Sequence, residues 1–103
     1  MTWRRGSYDV DTHVAAVRTR TGYVSSCGTW GIERMPRGAW SLTHLLTGRR
    51  VGDASTLREA KELASMLSPL VAAVRLDELS DAQGIADALV DAIGDTMRAW
   101  VRR

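Results

Sequence analysis

The spacing of apolar and polar positions changes once along this chain. Up to about residue 52 apolar side chains tend to alternate with polar ones, the period of a strand. From residue 56 they return every three to four positions, the period of a helix. "THVAAVRTR" (12–20), rich in Val and Thr, predicts a first strand, and Thr21-Gly22 a turn after it. "YVSSCGTWGIER" (23–34) predicts a second extended region, in which Gly28 and Gly31 call for a bulge or a bend. "MPRG" (35–38) is a turn. "AWSLTHLL" (39–46) is the clearest strand, with Trp40, Leu42, His44 and Leu46 on one face and Ser41, Thr43 and Leu45 on the other. Thr47-Gly48 then closes a tight turn, and Arg49-Arg50-Val51 return as a short strand. Residues 1–9 carry Trp3, Arg4 and Arg5 without periodicity and read as a loose arm, either a frayed terminus or a basic aromatic arm that orders on a partner.

In the second half, "TLRE" (56–59) has the form of a capping box, and Leu57, Ala60, Leu63, Ala64 and Leu67 follow as one apolar stripe. Ser68-Pro69 ends or kinks this helix, or caps a new one, and "LVAAVRL" (70–76) is apolar nearly all round, so buried. "SDAQ" (80–83) is a second box, opening a helix to about Trp100. Ile85, Leu89, Ile93, Met97 and Trp100 line one face of it, while Asp87, Asp91 and Asp95 form a solvated acidic stripe. The expected fold class is α+β: an N-terminal antiparallel sheet of three to four strands packed against two to three C-terminal helices. The 103 residues make a single domain, with the arm at 1–9, the sheet at 10–52 and the helices at 56–101.

Charge sharpens this picture. Residues 1–58 hold nine basic and four acidic side chains, whereas 59–103 hold five and eight. Lys61 is the only lysine among the 14 basic residues, so arginine, with its planar fork for phosphate and carboxylate, dominates. A basic sheet end and an acidic helical end follow. The single cysteine, Cys27, allows no intrachain disulfide and fits a reducing cytoplasm. "MTWRRGSYD" has no apolar core of a signal peptide, and the longest aliphatic run, "LVAAV" (70–74), is far short of a membrane span. The expectation is a cytoplasmic protein with no membrane partner.

Catalytic signatures are missing. There is no GxGxxG, GxxxxGK[ST], GxSxG, CxxC or HxxxH. His13, His44 and Cys27 stand apart in sequence; each histidine reads as a hydrogen-bonded strand residue and Cys27 as a buried structural one. The expectation is no enzyme, no cofactor and no metal. Two binding classes remain. Trp, Tyr, Met and Arg, enriched in interface cores, are plentiful here beside a total lack of Phe. A protein partner would meet Trp30, Arg34, Arg37, Arg49 and Arg50 around the turns. Trp40 and Trp100 read as core. The same basic hairpins could instead hold DNA phosphates. Helix residues Ile85, Leu89, Ile93, Met97 and Trp100 could pair two copies into a homodimer.

The stretch Trp40–Leu67 also carries a pattern: Trp40, Thr43-His44, Thr47-Gly48, then Thr56, Glu59-Ala60 and Leu63-Ala64. It resembles small proteins of actinobacteria and their phages, in which a Trp strand with a TH pair and a TG turn precedes a T-x-x-E-A helix. The resemblance covers about a quarter of the chain and implies a small sheet-plus-helix unit and such a source, with no mechanism attached. The Trp strand, Gly turn and T-x-x-E-A helix also look superficially like the arm-binding modules of phage integrases, which supports the DNA alternative. The leading expectation is an accessory protein, in the phage case one that binds a host protein.

Overall fold

A computed structural model describes residues 1–11, 17–74 and 82–101. His13, the Ser80-Asp81 part of the second box and Arg102-Arg103 lie outside those residues, as do the side chains of Arg18 and Ile85. Five strands come first: β1 (Trp3–Asp11), β2 (Val17–Ser25), β3 (Trp30–Arg34), β4 (Trp40–His44) and β5 (Arg49–Ala54). Two helices follow, α1 (Leu57–Ala72) and α2 (Ala82–Val101). The class is α+β, with one antiparallel meander in the order β1-β2-β3-β4-β5. The chain forms two compact units, Met1–Ala64 and Ser65–Arg103, so the boundary falls inside α1.

The sheet has five strands rather than three or four because the presumed arm is a strand. Trp3 to Asp11 pair residue for residue with Ser25 to Val17. Polar Arg, Ser and Asp on one side of β1 hide its pattern, yet Tyr8 and Val10 are buried. Thr21-Gly22 is not a turn either. It lies in the middle of β2, opposite Ser7 and Gly6. A β-carbon on Gly22 would stand 2.0 Å from the Ile32 carbonyl oxygen, so glycine there serves a close approach of β3, not a reversal. The expected extended region 23–34 breaks at Ser26–Thr29 into the end of β2 and the start of β3. Gly28 turns the chain there at φ 74°, and Gly38 (φ 90°) and Gly48 (φ 70°) turn it in the next two connections.

Register fixes two faces. Tyr23, Trp30, Ile32, Arg34, Trp40, Leu42 and His44 share the first face, and Val24, Gly31, Glu33, Ser41 and Thr43 share the second. The expected alternation in β4 holds, but both its faces are buried. Leu46 leaves the strand and is exposed in the turn. Trp30, Ile32 and Leu42 are fully buried on the first face. Truncating Trp30 to alanine would cost about 3–5 kcal/mol. The two edge strands, β1 and β5, approach each other, so the sheet is strongly curled.

The first helix starts as the sequence requires. The Glu59 amide donates to the Thr56 hydroxyl (3.1 Å), and the Glu59 carboxylate accepts from the Ser55 amide (3.2 Å). Such a cap is worth about 1 kcal/mol. Pro69 neither ends nor restarts the helix. The helix α1 runs through it to Ala72. Within 70–74 only Val71 is buried; Ala72 and Ala73 are exposed, because the helix keeps an outer side there. In the second unit Leu67, Val71, Leu89, Ile93 and Trp100 are buried, while Asp87, Asp91 and Asp95 are exposed.

Candidate functional site

The curled sheet places two candidate groups of side chains. The first lies on the Trp40 face, at the half-exposed margin of the core. Arg5 and Lys61 both stand over the Tyr23 ring, at 5.2 and 5.4 Å from its centroid. Tyr23 tilts against Trp40, with ring centroids 6.3 Å apart. Arg34 is the cross-strand neighbour of Trp40. Tyr23 and Trp40 are half-buried and Arg5 and Arg34 exposed, so a row of two aromatics is flanked by three cations. Trp40 is thus only in part the core residue that the strand pattern implies. Its pairing with Tyr23 comes from the β2–β3–β4 register, which spacing along the chain does not reveal.

The second group lies on the opposite face. Glu33 is buried, and its carboxylate accepts from the Arg50 guanidinium (2.9 Å), with Arg20 Nε 3.8 Å from its other oxygen. A bulge delivers Arg50 to this place. The β4–β5 register shifts between Leu42 and Thr43, so Thr43 faces Arg50 and Val51 is the extra residue. Without the bulge, Arg50 would point to the other face.

The residues expected to meet a partner are therefore dispersed. Trp30 is wholly inside, its ring edge-on to His44 at 5.5 Å, and offers no surface. Arg50 is engaged by Glu33. Arg34 and Arg37 border the β3–β4 turn, whereas Arg49 starts β5 at the other end of the strands, about a strand length of 16 Å away. Of those five, Arg34 alone joins the aromatic row. Arg5, Tyr23 and Lys61 were not legible as its companions. Leu89, Ile93 and Trp100 are buried and Met97 is partly so.

His44 is held as a strand-end lock. Its Nδ1 is 3.0 Å from the Thr47 hydroxyl, which donates to the His44 carbonyl (3.3 Å) and accepts from the Arg49 amide (3.3 Å). Burial lowers its pKa, so the ring is neutral at pH 7. Cys27 is exposed in the β2–β3 turn rather than buried. Hydrogen bonding from Ser25 (3.4 Å), and then from Thr29, lowers its thiol to about 7. Among the described residues no three His, Cys, Asp or Glu side chains gather in a way that could hold a metal ion. No described helix is long and apolar enough to cross a membrane. No family model, curated protein or solved structure matches the chain.

Proposed function

We propose that this is a non-enzymatic accessory protein that acts by binding another protein, through the row Arg5–Tyr23–Trp40–Arg34 with Lys61 beside it. The observation that carries the reading is the coupling of half-exposed Tyr23 and Trp40 to flanking cations on a rigid sheet. Tyr, Trp and Arg are the side chains that dominate interface energetics, since each offers apolar area with a polar tip. The cations select a partner segment that carries a carboxylate next to an apolar side chain. Tight phosphate tracking along DNA is less well served: Arg49 is remote from Arg34 and Arg37, and Arg50 is tied to Glu33.

The test is retention of a protein from source-cell lysate on the immobilised chain at about 0.2 M salt, within the range where phosphate-driven binding weakens steeply. The expected result is one retained protein, lost with Trp40→Ala and with Arg34→Glu. A duplex-DNA shift that vanishes at that salt, with no retained protein, would transfer the function to the DNA reading.

A further inference from the structure

The face opposite the aromatic row gathers more hydrogen-bonding groups than the described residues pair with one another. Tyr8, Arg20, Glu33, Ser41, Thr43 and Arg50 all project to it. Tyr8 faces Arg20 across β1–β2, Glu33 faces Ser41 across β3–β4, and Thr43 faces Arg50 across β4–β5. The Tyr8 ring reaches across β2 to Gly31 on β3, where a β-carbon would meet ring atoms at 2.8 Å. Glycine at 31 is thus what lets the phenol lie across the sheet. Four buried polar atoms here, the Tyr8 hydroxyl, Arg20 Nε, Ser41 Oγ and Thr43 Oγ1, have no hydrogen-bond partner among the described residues. Ser41 and Thr43 are fully buried and Tyr8 is 7 % exposed. The 3.8 Å from Arg20 Nε to Glu33 is an ion pair but too long for a hydrogen bond.

Unused buried donors are expensive. Each such group costs about 1–3 kcal/mol, a sum comparable with the whole stability of a small domain. Chains tolerate it where the groups serve something other than the fold. The character of the cluster defines what it serves. Among the described residues, Arg4, Arg20 and Arg50 share this face with Glu33 and with Asp53, which lies opposite Ser41, so three guanidinium groups stand against two carboxylates. Burial first, and then the Glu33 carboxylate, raise the Tyr8 pKa, against the opposing pull of Arg50 and Arg20. The phenol therefore stays protonated and can donate. Three hydroxyls and an Nε–H are donors, and Glu33 is already engaged. Arg20 and Arg50 each keep 37 % of their side chain exposed, so both reach from the cluster to solvent.

We propose that this face of the sheet is a binding site for a small oxyanion group, a carboxylate or a phosphate, received by the Arg20 guanidinium, Tyr8, Ser41 and Thr43, with Arg50 and Glu33 fixing its rear wall. The site is independent of the aromatic row, since the two use opposite faces.

The experiment is thermal unfolding of the full chain in inorganic phosphate, in formate and in acetate, each against chloride at equal ionic strength. Thr43→Val keeps the side-chain shape and removes one unused donor, and Tyr8→Phe keeps the ring over Gly31 and removes another. Arg49→Ala, at the sheet end, controls for exposed arginines. The expected result is a midpoint rise of at least about 4 °C in one of the anions for the native chain. The rise persists in Arg49→Ala and falls to less than half in Thr43→Val and Tyr8→Phe. Thr43→Val should itself unfold no earlier than the native chain in chloride. No rise in any anion overturns the proposal, because the donors are then met by water alone. A rise equal in all variants overturns it as well, since the anions then sit on exposed arginines.

Discussion

Replacing Gly22 with alanine tests the packing of the sheet at its tightest point. The new β-carbon would lie 2.0 Å from the Ile32 carbonyl oxygen, 3.0 Å from its carbon and 3.2 Å from the Glu33 Cα. An unstrained carbon–oxygen contact is about 3.3 Å, so β3 must retreat by roughly 1.3 Å. That displacement opens the pairing of Tyr23 with Ile32 and of Val24 with Gly31, the rungs that join β2 to β3. One or two lost hydrogen bonds cost about 1 kcal/mol each, and displacing the fully buried Ile32 about 1–3 kcal/mol more. The stiffer unfolded chain returns about 0.4–1 kcal/mol. The net loss is about 2–4 kcal/mol, which moves a urea midpoint down by roughly 1–3 M at ordinary slopes. Gly94→Ala is the contrast. Its β-carbon would meet only the Arg98 guanidinium, at 3.4 Å, and it lies inside α2. Alanine there should gain about 1 kcal/mol. Urea unfolding followed by tryptophan fluorescence reads both. A neutral or stabilising Gly22→Ala would refute the close approach of β2 and β3.

Two further outcomes rest on titration. His44 is buried with its pKa lowered from 6.5, so the unfolded chain takes up a proton more readily than the folded one. Its contribution to stability is complete above about pH 6.5 and declines as pH falls below that. Chemical denaturation between pH 7 and 5 should show the decline, and His44→Gln should remove that component; an unchanged profile would count against a neutral buried ring. Cys27 should react with iodoacetamide along a pH curve centred near 7, and Ser25→Ala should move the centre up. A curve centred near 8.5 in both proteins would contradict the hydrogen bond from Ser25.

The legible parts of the fold were those written in one local signal. The Thr56–Glu59 box, the α1 stripe, the alternation of β4 and the Gly48 turn are each set by residues within a few positions of one another. Misread parts depend on partners remote in sequence. Gly22 looks like a turn residue until Ile32, ten positions on, is placed against it. Trp3–Asp11 looks unstructured until β2 supplies its hydrogen bonds. Likewise the candidate surface was only partly visible. Arg34 was named, but Trp30 lies inside, and the association of Arg5, Tyr23, Trp40 and Lys61 spans β1, β2, β4 and α1. The bulge at Val51 decides the face of Arg50, and Gly52 beside it is its one local mark. Turn chemistry and capping are local physics; register and curl are collective.

The most direct test of the proposed binding surface is the affinity of the captured protein partner for the native chain and for Trp40→Ala, at about 0.2 M salt, with circular dichroism to confirm that the variant is folded. A half-exposed tryptophan that anchors an interface contributes at least about 2 kcal/mol, so the account predicts a loss of about 30-fold or more. An affinity unchanged by Trp40→Ala in a folded variant would contradict it.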